Sequence, residues 1–351
     1  MRKEAAGGAG ASRGSGMPGN ASTSGSASMS GMSGSGGMSA RPAAWMDTRK
    51  DFRRNWSLYL LAVPVVVFYA MFCYVPMYGV VIAFRDFQMK AGVSYFQNIL
   101  NSPWVGLKYF QQFFDSRWFV RILRNTFTIS FANIVFGFPA PIILALLVNE
   151  IRQRRFKRIV QTVTYLPHFI SLVVVCGMIK DFTSNSGVIS LAIAWLTGGK
   201  AATMLNNPAL FKPIYVISDI WQGVGWGSIV YLAAIAGVDQ QLYEAATIDG
   251  AGRLRQILHV TLPGILPIVV VMLILRMGGM LNVGYEKIIL LSNPLISDAS
   301  EVISSHTYAR GLLGREWSYA SAVGIFNSAI NLFFLAATNY ISRRVGEVSL
   351  W

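Results

Sequence analysis

The sequence predicts an all-α membrane protein with six transmembrane helices, and its composition is the first reason. The chain has 351 residues, of which 53% are hydrophobic and 13% are charged. Its mean hydropathy of +0.46 lies above that of soluble domains, whose surfaces need more polar side chains. We therefore expect most of its surface to face lipid or other membrane helices.

Six long apolar stretches are the second reason. A spanning helix needs about 20 mainly apolar residues. The stretches that reach this length cover residues 58–84, 125–148, 159–180, 214–237, 264–291 and 320–341. The second, fourth and fifth are interrupted by Pro139 and Pro141, by Gly223, Gly225 and Gly227, and by Gly278 and Gly279. Membrane helices tolerate such interruptions where neighbours or a cavity satisfy the freed backbone groups. The fifth stretch is long enough to tilt, to kink or to end in an irregular segment.

The positions of Lys and Arg orient the spans, because short cytoplasmic loops carry an excess of both. Basic residues precede the first span, follow the second, separate the fourth from the fifth and follow the sixth. They are Arg49, Lys50, Arg53, Arg54, Arg152, Arg154, Arg155, Lys157, Arg158, Arg253, Arg255, Arg343 and Arg344. With six spans these segments share one face, which we predict to be cytoplasmic together with both termini. The connection 85–124 is also basic, but its stretch LKYFQQFFDSRWFVRIL is typical of an interfacial helix on the outer surface.

The chain divides into a tail and a membrane domain. Residues 1–44 are mostly Gly, Ser, Ala and Met, so they cannot bury enough apolar surface to offset the entropy of ordering. We predict that this tail is disordered, and it lacks the continuous apolar core of a signal peptide. Residues 45–351 are predicted to form one transmembrane domain.

No pattern indicates catalysis, a metal site or nucleic-acid binding. The sequence contains neither GxxxxGK[ST] nor a nucleophile elbow, and its three histidines are far apart without ligand spacing. The run GVGWGS at 223–228 lies inside an apolar stretch, where Gly223 and Gly227 have the GxxxG spacing that allows close helix packing. We therefore expect a protein that is not an enzyme, with no catalytic residue, no metal and no cofactor of its own.

A polar loop, YEAATIDGAGRLRQILHVTLP, covers residues 243–263 between the fourth and fifth spans. Its first half contains helix formers and ends at Asp249-Gly250, a pair that favours turns. The second half has apolar residues at helical spacing until Pro263, which is predicted to stop the helix. Two helices this short need a surface to dock on. That surface is either the lipid headgroups or a groove on a soluble partner, where Ala245 and Ala246 would permit close approach and Glu244 would supply a charge.

Within this loop, Glu244-Ala245-Ala246 is followed at fixed spacings by Gly250, Val260 and Leu262-Pro263. The arrangement resembles the EAA loop of permease subunits of binding-protein-dependent ABC importers, whose pattern is EAA, x3, G, x9, I, x, LP. Val260 in place of Ile is its one departure. The stretches TYLPHFISLVVV, LNVGYEKIILLSNP and YARGLLGREWSYASAVGIFNSAINL look like the subfamily that imports oligosaccharides and polysaccharides, including uronate-containing chains such as alginate. The resemblance covers nearly everything after about residue 50.

The resemblance implies the type I permease fold of ABC importers, in a multi-pass protein of the bacterial cytoplasmic membrane. It also implies four kinds of partner: a second homologous permease, a dimer of ABC ATPases that binds ATP and Mg, an extracytoplasmic solute-binding protein, and an oligosaccharide or polysaccharide cargo. The residues that would couple this chain to the ATPase are Glu244, Ala245, Ala246, Gly250, Leu262 and Pro263.

The resemblance also suggests a substrate pathway, because the sugar contacts of maltose-type permeases lie on the helices that flank the EAA loop. Ungapped counting from Glu244 places these contacts at Asp219, Gln222, Gly223, Trp226, Arg276 and Asn282. Aromatic rings such as Trp221 and Trp226 could stack on sugar faces, and Gln222 and Asn282 could bind hydroxyls. Helix packing and interhelical hydrogen bonds are the alternative roles for these side chains.

Arg276 is the most informative of these residues. An Arg near the centre of a span costs about 2.5 to 3.5 kcal/mol on insertion scales, so it normally faces a cavity or a partner. Its partner is either the carboxylate of an acidic sugar or an internal acid, Asp219 or Glu286.

Two other function classes remain open at this stage. Asp219 and Glu286 are isolated acids inside apolar stretches, as in secondary transporters driven by an ion gradient. A membrane scaffold that transports nothing is the second alternative. Association with a separate ATPase would distinguish an importer subunit from both.

Overall fold

A computed structural model describes residues 54–90 and 92–346, with the side chains of 345 and 346 left out. The predicted disordered tail, 1–44, lies outside the described residues. The chain divides into two compact units, Met1–Val66 and Val67–Trp351. In the first unit, residues 54–66 are described, and they open the first long helix.

Regular structure in the described residues is almost entirely helical, apart from an isolated bridge between Arg85 and Trp104. The helices are α1 (Trp56–Phe84), α2 (Tyr95–Asn101), α3 (Lys108–Phe114), α4 (Phe119–Glu150), α5 (Arg154–Phe169), α6 (Leu172–Phe182), α7 (Val188–Thr197), α8 (Pro208–Ala236), α9 (Gln240–Ile248), α10 (Arg253–Gly278), α11 (Tyr285–Leu291), α12 (Ser297–Ser300), α13 (Ile303–Thr307) and α14 (Trp317–Gly346). The all-helical class predicted from the sequence is therefore confirmed for the described part of the chain.

Four of these helices, α1, α4, α10 and α14, are long and apolar enough to cross a membrane. Two bent pairs raise the number to six if each pair counts as one span. The axes of α5 and α6 meet at 102°, and those of α8 and α9 at 72°. The exact number of crossings and the side on which the termini lie stay predictions.

Two expectations about helix interruptions are wrong. The glycines of the fourth stretch do not interrupt it, since α8 runs unbroken for 29 residues. Glycine has a backbone amide that can donate the helical hydrogen bond, so it weakens a helix without ending it. Pro263 does not stop the second arm of the loop, since α10 continues through it to Gly278. A π-helical turn at Ile257–Thr261 comes directly before Leu262-Pro263, and this wider turn accommodates a residue that has no amide hydrogen.

The amphipathic stretch 107–123 is also not one interfacial helix. Its first half forms α3, which ends at Phe114, and its second half opens the long helix α4 at Phe119. The backbone amide of Phe119 donates to the carbonyl of Ser116 at 2.9 Å, closing a turn between the two helices. The second span therefore begins six residues earlier than the apolar pattern indicated, with polar turns at its start.

Helix α8 lies at the centre of the packing and touches α5 at very short range. A Cβ atom on Gly225 would lie 2.0 Å from the carbonyl oxygen of Thr164, on α5. A Cβ on Gly227 would meet Pro141 at 3.0 Å, whereas nothing lies within 4 Å of one on Gly223. Close helix approach therefore depends on Gly225 and Gly227, and the predicted role of Gly223 in the GxxxG contact is wrong.

A polar cluster ties the segment between α11 and α14 to the start of α4. Arg121 donates to Glu301 at 2.9 Å and also bonds to Asp298. The buried ring of His306 lies between Glu301 and Tyr319, with its Nδ1 and Nε2 each 3.0 Å from an oxygen. The cluster fixes the irregular segment that follows the fifth apolar stretch.

Candidate coupling loop and polar cavities

The loop 243–263 consists of two helical arms joined by a tight turn. Asp239 caps the first arm, α9, because its Oδ1 accepts a hydrogen bond from the amide of Gln241 at 2.9 Å. The turn passes through Gly250, whose φ of +72° is in the region that side chains with a Cβ rarely adopt. The second arm begins at Arg253 and is continuous with the span α10.

Side-chain bonds brace the two arms against each other. The amide of Gln256 donates to the Thr247 hydroxyl at 3.0 Å, and the hydroxyls of Tyr243 and Thr261 are 2.9 Å apart. At the base of the loop, Arg253 lies 4.0 Å from the carboxylate of Glu150, which ends α4. These contacts make the loop a stiff connector.

The outer side of the loop carries a carboxylate without a partner among the described residues, beside exposed apolar side chains. Glu244 and Ala245 are exposed, and among the described residues nothing hydrogen-bonds or pairs with the Glu244 carboxylate. Ile248 and Leu254 are 86% and 71% exposed. Leu262, in contrast, packs into a core cluster with Ile265 of the same helix and Tyr231 of α8. The loop thus has one end fixed in the bundle and a free surface suited to a partner.

Two cavities lie between α4, α8 and α10, and they share Asp219 and Arg276 in their linings. The first is mainly apolar apart from these two charges, whereas the second is polar over about half of its lining and also reaches α6 and α11. The first cavity, of about 300 Å³, is also lined by Gly223. The second, of about 230 Å³, is also lined by Asn282 and Lys287. Four of the six residues predicted for the substrate pathway are therefore brought together.

The side chain of Asn282 is held in a fixed orientation by the last helix. The side-chain amides of Asn327 and Asn331 each donate to its Oδ1 at 3.0 Å. The Oδ1 of Asn331 in turn accepts the backbone amide of Leu281 at 2.9 Å. The three asparagines thus stabilise the irregular backbone that links α10 to α11.

Gln222 and Trp226 line neither cavity. The Gln222 amide lies 3.5 Å from the carbonyl oxygen of Ile170, and the Trp226 ring stacks on His168 with ring centroids 4.7 Å apart. Trp221 borders a separate, mainly apolar cavity of about 440 Å³. A sugar-binding role for these three side chains stays a prediction.

Sequence reasoning missed Lys287. Its ammonium lies 3.3 Å from the Asp219 carboxylate, so Asp219 is paired with Lys287. Among the described residues, no carboxylate lies within 4.0 Å of Arg276, and the internal ion pair considered for it is not formed. Since a Lys inside an apolar stretch normally marks a functional or paired position, the sequence did contain the signal.

Residues that could hold a metal do not gather in the described part of the chain, where three or more His, Cys, Asp or Glu side chains nowhere converge. Cys73 is exposed and Cys176 is buried, and both are free thiols. The polar chemistry of the chain is therefore that of the loop and the two cavities.

Long apolar helices, cavities between them that hold charged side chains, and a stiff exposed loop define the membrane component of a transport system. Residues 137–347 match the family described as "Binding-protein-dependent transport system inner membrane component", and the chain belongs to this family. It is therefore a transporter permease subunit rather than an enzyme, which argues against the secondary-transporter and scaffold alternatives.

Two relatives from Bacillus subtilis (strain 168) are similar over most of their length. Protein LplB is 40% identical over 309 residues, covering 88% of this chain and 94% of the relative. The polygalacturonan/rhamnogalacturonan transport system permease protein YteP is 42% identical over 295 residues, covering 84% and 90%. A chain in the crystal structure of a bacterial ABC transporter involved in the import of the acidic polysaccharide alginate has a TM-score of 0.77 and 40% identity, with coverage of 85% and 99%. The fold is thus that of an ABC importer permease.

Proposed function

We propose that this chain is one permease subunit of an ATP-driven importer that moves acidic oligosaccharides or polysaccharides across a bacterial cytoplasmic membrane. The names of YteP and of the alginate transporter, both similar over most of this chain, support a polysaccharide cargo. The observation that carries the proposal is Arg276, a cation that lines both cavities without a carboxylate of the described residues within 4.0 Å. An unpaired guanidinium in a membrane cavity is suited to a carboxylate on the cargo.

The energy source in this proposal is a dimer of ATPase subunits that holds ATP and Mg and binds the loop 243–263. Glu244 would pair with a cationic side chain of the ATPase, while Ala245 and Ala246 allow the two surfaces to approach closely. A second homologous permease would complete the pathway. The alginate transporter has been crystallised in complex with an alginate pentasaccharide-bound periplasmic protein, which supports a comparable binding protein as the source of cargo.

The unbroken helix α10 supplies the mechanical connection. It runs from Arg253 in the loop to Gly278, two residues beyond Arg276. Arg276 lies 23 positions after Arg253, which at 1.5 Å per residue is a distance of about 35 Å along the helix. A displacement of the loop would therefore reach the cavity lining through one continuous helix. If the helix stopped at Pro263, the loop and the cavity would not be connected in this way.

The coupling part of the proposal is tested by the charge reversal Glu244→Lys in the full importer. We expect the ATPase to be lost on co-purification and ATP-dependent uptake to fall, because a repulsive charge replaces the paired one. Asp249→Lys, the same reversal at the turn, is the matched control and should retain more of the ATPase. Retention of the ATPase by both Glu244→Lys and a deletion of residues 244–252 would refute the coupling role.

The cargo part is tested by Arg276→Gln, with uptake of tri-galacturonate compared with uptake of its methyl ester. The two oligomers share a skeleton and differ in charge. Since a hydrogen bond to a charged group contributes about 1.5 to 3 kcal/mol, uptake of the acid should fall about 10- to 100-fold while uptake of the ester changes little. Arg276→Lys should lose less. An equal loss for both oligomers would show that Arg276 is structural.

A further inference from the structure

The Lys287 side chain is buried, and its ammonium bonds to groups inside the protein. Only 3% of the residue is exposed. Its ammonium donates to the Asp219 carboxylate at 3.3 Å and to the carbonyl of Tyr215 at 3.2 Å, and it lies 4.6 Å from the centre of the Tyr215 ring. Two of the three ammonium donors are therefore taken by internal acceptors, and the charge also lies against the Tyr215 ring. Lys287 therefore contributes to the cavity through the group it holds.

The charges around the second cavity add up to an excess cation. Its charged lining consists of Asp219, Arg276 and Lys287, which is two positive groups and one negative group. Asp219 and Arg276 border both cavities. Without Lys287, Asp219 would be the nearest available counter-ion for Arg276 among the lining residues.

We infer that Lys287 is a positioning residue for cargo selectivity: by holding Asp219, it keeps the Arg276 guanidinium available for a carboxylate on the transported sugar. This inference rests on the proposed function, because it assigns a cause to the unpaired state of Arg276. It explains why an apolar stretch contains a lysine that is almost fully buried at the wall of the cavity. It also explains why an acid lies beside the proposed anion site without neutralising it.

The rest of the second cavity supports a sugar acid as the ligand class. Ser130 and Asn133 line this cavity, and the Oγ of Ser130 and the Oδ1 of Asn133 are buried with no hydrogen-bond partner among the described residues. Uncommitted oxygens suit the hydroxyl groups of a sugar, since buried polar atoms are normally paired. A cation beside such acceptors matches a polyhydroxylated carboxylate better than a simple anion.

The test uses the complete importer in proteoliposomes, with Lys287→Met and the double variant Asp219→Asn/Lys287→Met. Lys287→Met leaves Asp219 free to pair with Arg276, so uptake of tri-galacturonate should fall about tenfold through a higher KM, while uptake of its methyl ester is retained. The double variant removes both charges of the internal pair. It should recover most of the lost acid uptake, because Arg276 is again unpaired.

Three outcomes would overturn the inference. The double variant could transport the acid as poorly as Lys287→Met, both oligomers could lose uptake equally, or Lys287→Met could leave the KM for the acid unchanged. If Lys287→Met does not assemble, the double variant is compared with Arg276→Gln instead. The double variant should still prefer tri-galacturonate to its methyl ester, whereas Arg276→Gln should not. Arg276→Gln in the same assay separates the two proposals. If uptake of the acid falls in Arg276→Gln but not in Lys287→Met, the inference about Lys287 is refuted while the cargo site stands. If uptake of the acid does not fall in Arg276→Gln, the cargo site itself is refuted.

Discussion

The contact between α8 and α5 at Gly225 gives the sharpest prediction of stability. Gly225→Ala would place a methyl carbon 2.0 Å from the Thr164 carbonyl oxygen and 2.4 Å from its carbonyl carbon. A relaxed carbon–oxygen contact is about 3.3 Å, so the helices would have to separate by about 1.3 Å. Because the obstacle is backbone, no side-chain rotation relieves it. Overpacking of this kind typically costs about 1 to 3 kcal/mol.

Gly223→Ala is the matched control, two residues away on the same helix. Nothing lies within 4 Å of its added methyl, so only the gain in helix propensity remains, about 1 kcal/mol. Both variants gain this propensity, so they should differ by the overpacking cost alone, about 1 to 3 kcal/mol, which corresponds to a Tm difference of roughly 2 to 6 °C. Thermal unfolding of the purified protein in detergent measures it. Equal Tm values for the two variants would refute the close approach at Gly225.

Two further predictions concern the loop and the polar cluster. Gly250→Val should lower ATP-dependent uptake and cost about 1 to 2 kcal/mol of stability, because the backbone φ at this position is +72°. Gly252→Ala should change little, since φ is −69° there. Measurements of uptake and Tm for both variants check this prediction. Burial alone would raise the pKa of Glu301, but hydrogen bonds from His306 and Arg121 outweigh it and hold the pKa below the usual 4.5. Its stabilising contribution is therefore present above pH 4.5 and is lost as the pH falls through the lowered pKa. The Tm gap between the wild type and Glu301→Gln should be clear at neutral pH and close well below pH 4.5; a gap that persists there would contradict the ionic role.

Patterns that act locally were read correctly from the sequence. Apolar stretches located the long helices, and the pair Asp249-Gly250 marked the turn of the loop, because a turn is decided by the residues within it. The irregular end of the fifth stretch at Gly278 was also among the outcomes considered, and the structure has it.

Features that depend on contact between distant segments were not readable. Whether Gly223 or Gly225 faces another helix depends on the rotation of α8, which the GxxxG spacing does not fix. The pairing of Lys287 with Asp219 joins residues 68 positions apart. The prediction for Pro263 was wrong because a π turn lies directly before it, and this wider turn lets the helix continue through a residue without an amide hydrogen.

The break between α10 and α11 explains why the polar groups gather where they do. Non-helical backbone within a membrane span is tolerated only where protein or a cavity satisfies it. Here the amide of Leu281 donates to Asn331, and the carbonyl of Val283 accepts from Ser304. The same break ends the helix that begins in the loop, so Arg276 lies close to the point where α10 stops and the hydrogen-bonded irregular segment begins. The loop and this part of the cavity lining therefore belong to one continuous helix, through which a movement of the loop would reach the cavity.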